Sequence, residues 1–294
     1  MLSALLYGLV ILPISRLPYR LLYLLSDFFY FVLCYVVPYR KKVIEYNIAK
    51  SMPHLSQQEV SALRKKFLSH FCDLVLESLK NFSISADEAK ARMAHVNPEV
   101  MNAFAEKGQS IILVGGHYAN WELWAVAAPA FLKHRLVGVY KRLSNRYFDQ
   151  KVRNSRSRFG LHMVATRDTA AYMAKTDNPC DAVILAFDQS PANPQKCVWV
   201  DFMGIHSAAL FGAEKYANEL QRPIVYGHID KVKRGFYQIT FELVDTAPIT
   251  GEKGEVTQRL FRILEADIHR KPELWLWTHK RWKHTPGFYK DLKK

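Results

Sequence analysis

Apolar residues fall in three arrangements along this chain, and each predicts a different kind of element. Near the N-terminus they are almost unbroken. Leu2 to Leu12 is one run, ended by Pro13; Leu21 to Val37 is a second, interrupted only by Ser26 and Asp27 and ended by Pro38. Residues 43–92 carry a helical spacing instead. Val60, Leu63, Phe67, Leu68, Phe71, Leu74, Val75 and Leu79 follow one helical stripe, whose start is marked by Ser56 and Glu59 in capping-box register. Further on, short β-branched runs bounded by turn residues predict strands at Ile111–Val114, 136–140, 182–188, 223–229 and 236–244, the last two a hairpin-like pair turning over Lys231–Gly235. Between them, helices are expected up to Glu106, from Trp121 to near Leu132 with Asn120 as N-cap, and over 254–270. The whole reads as an α/β fold: a mixed, largely parallel central sheet flanked by helices, with an apolar helical segment at the N-terminus.

That N-terminal segment, residues 1–40, admits two readings. Neither run reaches the ~20 apolar residues of an unambiguous spanning helix. No basic stretch precedes the first run and no small-residue cleavage site follows, so a removable signal peptide is not expected. Asp27 opposes simple lipid exposure at mid-membrane, whereas Arg40-Lys41-Lys42 suit a cytoplasmic flank. A membrane anchor, spanning or deeply interfacial, is one reading; a pair of helices buried in a soluble core is the other.

Charge narrows the partners. The formal net charge is +14, from 41 Lys and Arg against 27 Asp and Glu. Such a surplus predicts an anionic partner: nucleic acid, an anionic membrane, a phosphorylated substrate or an acidic protein. The four cysteines, Cys34, Cys72, Cys180 and Cys197, show neither C-x-x-C nor metal spacing and read as reduced residues of an intracellular protein. Basic residues are densest over 141–167, where Lys141, Arg142, Arg146, Lys151, Arg153, Arg156, Arg158 and Arg167 occur. A solvated helix face is the usual fate of such a run. This one follows a strand end, however, and arginine forks suit phosphate and carboxylate.

The candidate chemistry lies in Gly115-Gly116-His117-Tyr118-Ala119-Asn120-Trp121-Glu122. His117 stands where a strand ends and a helix begins, the usual place of a ligand crevice in an open α/β sheet. On a straight helix, His117 and Glu122 would lie roughly 140° apart; across a strand–turn–helix bend they can meet. A carboxylate against the ring would fix its tautomer and make His117 a general base. The alternative is a structural histidine in a turn, with Glu122 merely favoured by the helix N-terminus. Asp188-Gln189, at another strand end, is either a second site element or a turn into Ser190-Pro191.

Gly116 to Glu122 resembles the His-x4-acid block of the glycerolipid/lysophospholipid acyltransferase superfamily, and its Asn-Trp-Glu ending resembles the late acyltransferases of lipid A biosynthesis, the lauroyl/myristoyl transferases. Arg156-Ser157-Arg158-Phe159-Gly160, Asp188-Gln189 and Trp277-Thr278-His279-Lys280-Arg281-Trp282-Lys283 match further blocks of that family in order. Val198 to Gly204 resembles its Phe-Phe-Gly turn. Two departures stand out: Tyr140-Lys141-Arg142 where the family tends to show Tyr-Arg-Pro, and Ser207-Ala208-Ala209 in place of a threonine-containing sequence.

The resemblance implies an acyltransferase domain over 41–294 and a membrane-associated enzyme of the bacterial inner membrane, its catalytic domain on the cytoplasmic side. His117 would deprotonate an acceptor hydroxyl that attacks an acyl thioester, with Glu122 orienting the ring and no covalent enzyme intermediate. The donor would be the acidic acyl carrier protein or acyl-CoA, and the acceptor a phosphorylated glycolipid. No cofactor or metal is expected. Candidate substrate-binding residues are Asn120, Lys141, Arg142, Arg156, Arg158, Asp188, Gln189, His279 and Arg281. An acceptor such as glycerol phosphate, a lysophospholipid or an aminolipid is the alternative within the superfamily. A nucleic-acid-binding role lacks any recognisable module.

Overall fold

The computed structural model describes residues 2–175, 180–246 and 251–293. Nine strands occur among them: β1 (Met93–His95), β2 (Ile111–Gly115), β3 (Arg135–Tyr140), β4 (His162–Ala165), β5 (Asp181–Ala186), β6 (Val198–Phe202), β7 (Ile205–Ala209), β8 (Ile224–Lys233) and β9 (Phe236–Asp245). Seven form one sheet in the order β1-β9-β8-β2-β5-β3-β4, while β6 and β7 pair by themselves. Every neighbouring pair in the large sheet is parallel except β8 with β9. The fold is therefore the mixed, largely parallel α/β sheet expected. The four apolar residues of β2, Ile111 to Val114, are all buried, as a parallel strand covered on both faces requires.

The hairpin of β8 and β9 forms as expected, but β8 runs on to Lys233 and the turn tightens to Arg234-Gly235, with Gly235 at φ +76°. The helix after the central strand is shorter than its pattern suggests. It is α-helical over Trp121–Ala127 and narrows to a 3-10 turn over Ala128–Ala130, where Pro129 withdraws a donor. Three short pairings carried too little pattern to be read: β1, β4 and the β6–β7 hairpin. In that hairpin Met203 and Gly204 both take positive φ, the geometry that lets a two-residue turn follow strand twist.

The capping box forms: Ser56 accepts the Glu59 N–H, and Glu59 reaches back to the Ser56 N–H, opening a helix over Gln57–Lys80. Packed against it is the apolar helix Tyr19–Phe31, extended by a π-turn to Val36. Residues Tyr19–Val36 are long and apolar enough to cross a membrane, and only 17% of that window is buried by the rest of the protein. Pro13 does not end the first helix. A π-turn over Tyr7–Ile11 precedes it, and the helix continues through Leu12–Arg16.

Candidate active site

Sheet register builds the site. Gly115 of β2 pairs with Ala186 of β5 at the C-terminal edge of the sheet. Counting two residues past each strand brings His117 and Asp188 side by side. His117 Nδ1 donates to Asp188 Oδ1 at 2.6 Å, and the His117 backbone N–H donates to Oδ2 at 3.0 Å. Trp275 Nε1 adds a third donor to Oδ2 at 2.9 Å. Asp188 is 3% exposed and His117 19%, so the acid lies deeper than the ring.

The electrostatics follow from that stack. Burial by itself would raise the Asp188 carboxyl, but the His117 charge and the three N–H donors overcome it and hold the group at about 2. Burial also disfavours a charged His117, yet the paired Asp188 outweighs it and sets the imidazole above its ordinary value; Glu122 adds to this and Arg156 opposes it. With Nδ1 protonated against Asp188, Nε2 keeps its lone pair and accepts the Gln189 side-chain amide at 3.2 Å.

Glu122 makes no direct hydrogen bond to His117 among the described residues. Its carboxylate is taken by Arg156 in a fork, Nε to Oε2 at 2.9 Å and Nη2 to Oε1 at 2.5 Å, and it also accepts Trp121 Nε1 at 3.2 Å. The physical reason is the helix: Glu122 lies in its first turn and is carried towards the Arg146–Ser157 helix rather than back over the turn. Trp121 meets His117 edge to face, centroids 5.1 Å apart.

The residues before that helix are bolted on all sides. Ala119 takes φ +53°, a conformation that strains any residue with a Cβ. Its N–H donates to Leu274 O and its carbonyl accepts buried His70 Nε2 at 3.3 Å. Tyr118 Oη donates to the carbonyls of Asp267 and Lys271.

Comparison with family models matches residues 2–284 to the bacterial lipid A biosynthesis acyltransferases. The chain belongs to that family. No curated protein matches it. In this chain the edge just described, with an imidazole, a buried carboxylate and a guanidinium fork, is the candidate active site.

The other expected residues divide. Gln189 and Arg156 stand at the site. His279 is close by, accepting the Ser190 N–H on Nε2 at 3.0 Å; burial drops its pKa to about 4, so it is neutral. Asn120 is fully buried and caps the helix: its Oδ1 accepts the Leu123 N–H, and its Nδ2 donates to Glu77 at 2.6 Å. Arg281 is 1% exposed; it donates one N–H to the Ala208 carbonyl at 2.6 Å with its guanidinium over Phe202 and Phe261, while its Nε and Nη2 are buried with no hydrogen-bond partner among the described residues. Asp188 holds the histidine, as described above. Arg158 donates to the Phe82 carbonyl from the surface, and Lys141 is exposed. Arg142 pairs with Asp168 at 2.9 Å in a shallow cleft shared with Tyr140, Arg153 and Lys175. Sequence reading missed Trp275, His70 and Glu77 as site supports. Of these only Trp275 left a signal, in the aromatic density near the C-terminus. That segment is irregular between Trp275 and Trp282, with Trp275, Trp277 and Trp282 all buried.

Proposed function

We propose that this chain transfers a fatty acyl group from the thioester of an acidic acyl carrier protein to a hydroxyl of a phosphorylated lipid A precursor, with His117 as general base. His117 Nε2 takes the hydroxyl proton as the oxygen attacks the thioester carbonyl. The tetrahedral intermediate collapses with cleavage of the C–S bond. The thiolate then recovers the proton from the imidazolium, which Asp188 stabilises throughout. No enzyme acyl intermediate is needed.

The observation that carries this reading is the 2.6 Å bond from His117 Nδ1 to Asp188, which leaves Nε2 as the basic nitrogen. Gln189, donating to that nitrogen, marks the position the acceptor hydroxyl would take. Arg156, held by Glu122, and the cleft with Arg142, Arg153 and Lys175 offer guanidinium and ammonium groups for acceptor phosphate. The net charge of +14 suits both an acidic carrier and a phosphorylated lipid.

Residues 1–40 act as the anchor and 41–294 as the acyltransferase domain. Leu21, Leu24, Phe28 and Phe31 are exposed on the apolar helix, and Arg40-Lys41-Lys42 follow it. This supports a site at the cytoplasmic face of the inner membrane.

The test uses purified full-length protein with acyl carrier protein thioester, acyl-CoA and a lipid A precursor, and mass spectrometry of the lipid product. An acceptor heavier by one acyl group, formed faster from the carrier thioester, is expected. Transfer only to glycerol phosphate or a lysophospholipid would overturn the acceptor assignment, and a preference for acyl-CoA would overturn the donor.

A further inference from the structure

Glu77 has no place in the chemistry above, yet it is one of the most heavily committed acids in the protein. It lies on the Gln57–Lys80 helix and is 3% exposed. Three donors from three different elements reach it. Tyr23 of the apolar N-terminal helix donates to Oε1 at 2.8 Å; Asn120 Nδ2 and Tyr237 Oη of β9 donate to Oε2 at 2.6 and 2.8 Å. A buried carboxyl group is tolerated only when its oxygens are served in this way.

One turn earlier on the same helix, Asp73 repeats the arrangement. It accepts Ser26 Oγ at 2.8 Å and Arg234 Nη2 at 2.7 Å, and Arg234 reaches on to Asp27 at 2.6 Å. The two residues that interrupt the apolar run, Ser26 and Asp27, are thus part of a polar stripe seated on two acids. The opposite side of that helix is bare: Leu24 and Phe28 are 65% and 58% exposed.

The Glu77 bond to Asn120 decides what this seat does. Asn120 caps the helix bearing Trp121 and Glu122, and it directly follows strained Ala119 and the His117–Tyr118 turn. With its Oδ1 on Leu123 N–H, the other hydrogen-bond partner of its side chain among the described residues is Glu77.

We propose that Glu77 is a positioning residue for acyl transfer: it ties Asn120, and through it the His117 turn, to Tyr23, so that seating of the apolar N-terminal helix helps hold the catalytic geometry. This rests on His117 being the base. Losing the tie would let the turn relax and lengthen the His117–Asp188 bond.

The test measures kcat, KM and the pH dependence of kcat for the full-length protein, using acyl carrier protein thioester and a lipid A precursor. The variants are Glu77→Gln, Glu77→Leu and Tyr23→Phe, with His117→Ala beside them. Glu77→Gln keeps its oxygen for Asn120 and Tyr237 and turns its amide to the Tyr23 hydroxyl, so activity close to wild type is expected. Glu77→Leu should lower kcat about tenfold or more, with KM unchanged. Tyr23→Phe, which removes one hydroxyl and keeps the fold, should lower it about threefold.

In both, the acid limb of kcat should move to lower pH, because a loosened Asp188 no longer raises the His117 pKa. Mere loss of folded enzyme would lower the amplitude and leave the limb in place. Wild-type kcat in Tyr23→Phe, or a fall in either variant without a moved limb, overturns the positioning role. Turnover retained by His117→Ala overturns this inference and the base assignment together; a dead His117→Ala with unaffected Tyr23→Phe overturns this inference alone.

Discussion

Replacing Asp188 by Asn separates this account from one in which Glu122 braces the histidine. Asp188 accepts three N–H groups: His117 Nδ1 on one oxygen, and the His117 backbone and Trp275 Nε1 on the other. Asparagine has one oxygen to offer. Set towards Trp275 and the backbone, it satisfies two donors and turns its NH2 on Nδ1. Set towards Nδ1, it turns the NH2 on two donors at once. The first arrangement costs less, and it forces the ring to carry its proton on Nε2, where the base must be bare. A wrong-tautomer change of this type removes about 10³- to 10⁴-fold of kcat/KM, or about 4–5.5 kcal/mol of transition-state stabilisation. Glu122→Gln acts on His117 only through its field and through Arg156, so a loss of about tenfold is expected, as for a single weakened electrostatic contact. The assay is initial-rate acyl transfer at saturating donor, with circular dichroism as the fold control. Asp188→Asn within tenfold of wild type, or Glu122→Gln equally damaging with the fold intact, would refute the reasoning.

Three further outcomes follow from the same neighbourhood. At Ala119, φ +53° and complete burial should make Ala119→Gly nearly neutral, since relieved strain offsets chain entropy and a lost methyl, while Ala119→Val should cost about 3 kcal/mol or more in chemical denaturation. Gly116→Ala would set a Cβ 2.7 Å from Leu264 Cδ1; a loss of about 1–3 kcal/mol is expected, partly recovered by Leu264→Val, and read by thermal unfolding. Burial holds His70 neutral down to about pH 3, so its folded pKa is depressed. Its contribution to stability is therefore present above the ordinary imidazole value near 6.5 and lost as pH falls from there towards 3, at about 1.4 kcal/mol per unit. His70→Gln should flatten the acid side of the Tm–pH curve; an unchanged curve would contradict this.

Local order was legible where one residue's neighbours in sequence decide its geometry. The Ile111–Val114 run, the Gly115-Gly116 break, the Asn120 cap and the Ser56–Glu59 box each carry their own signal, and each stands in the structure. Pairings between strands far apart in sequence were not legible. His117 and Asp188 are 71 residues apart and meet only because β5 lies beside β2, an order that no local pattern encodes. The nearer carboxylate, Glu122, was the natural expectation, and helix geometry sends it to Arg156. Asn120 shows the same limit from another side: its capping end could be read, but its second bond, to Glu77, depends on how the Gln57–Lys80 helix packs. Arg281, named from the sequence as a substrate-binding candidate, is buried over the rings of Phe202 and Phe261, a surrounding that depends on packing between segments distant in sequence.

The central claim is that His117 Nε2 removes the proton from the acceptor hydroxyl. Its most direct measurement is the single-turnover rate of acyl transfer by full-length His117→Ala, with thermal unfolding confirming an intact fold. The account predicts a rate lower by about 10³-fold or more. A folded variant that transfers acyl groups within tenfold of wild type would contradict it.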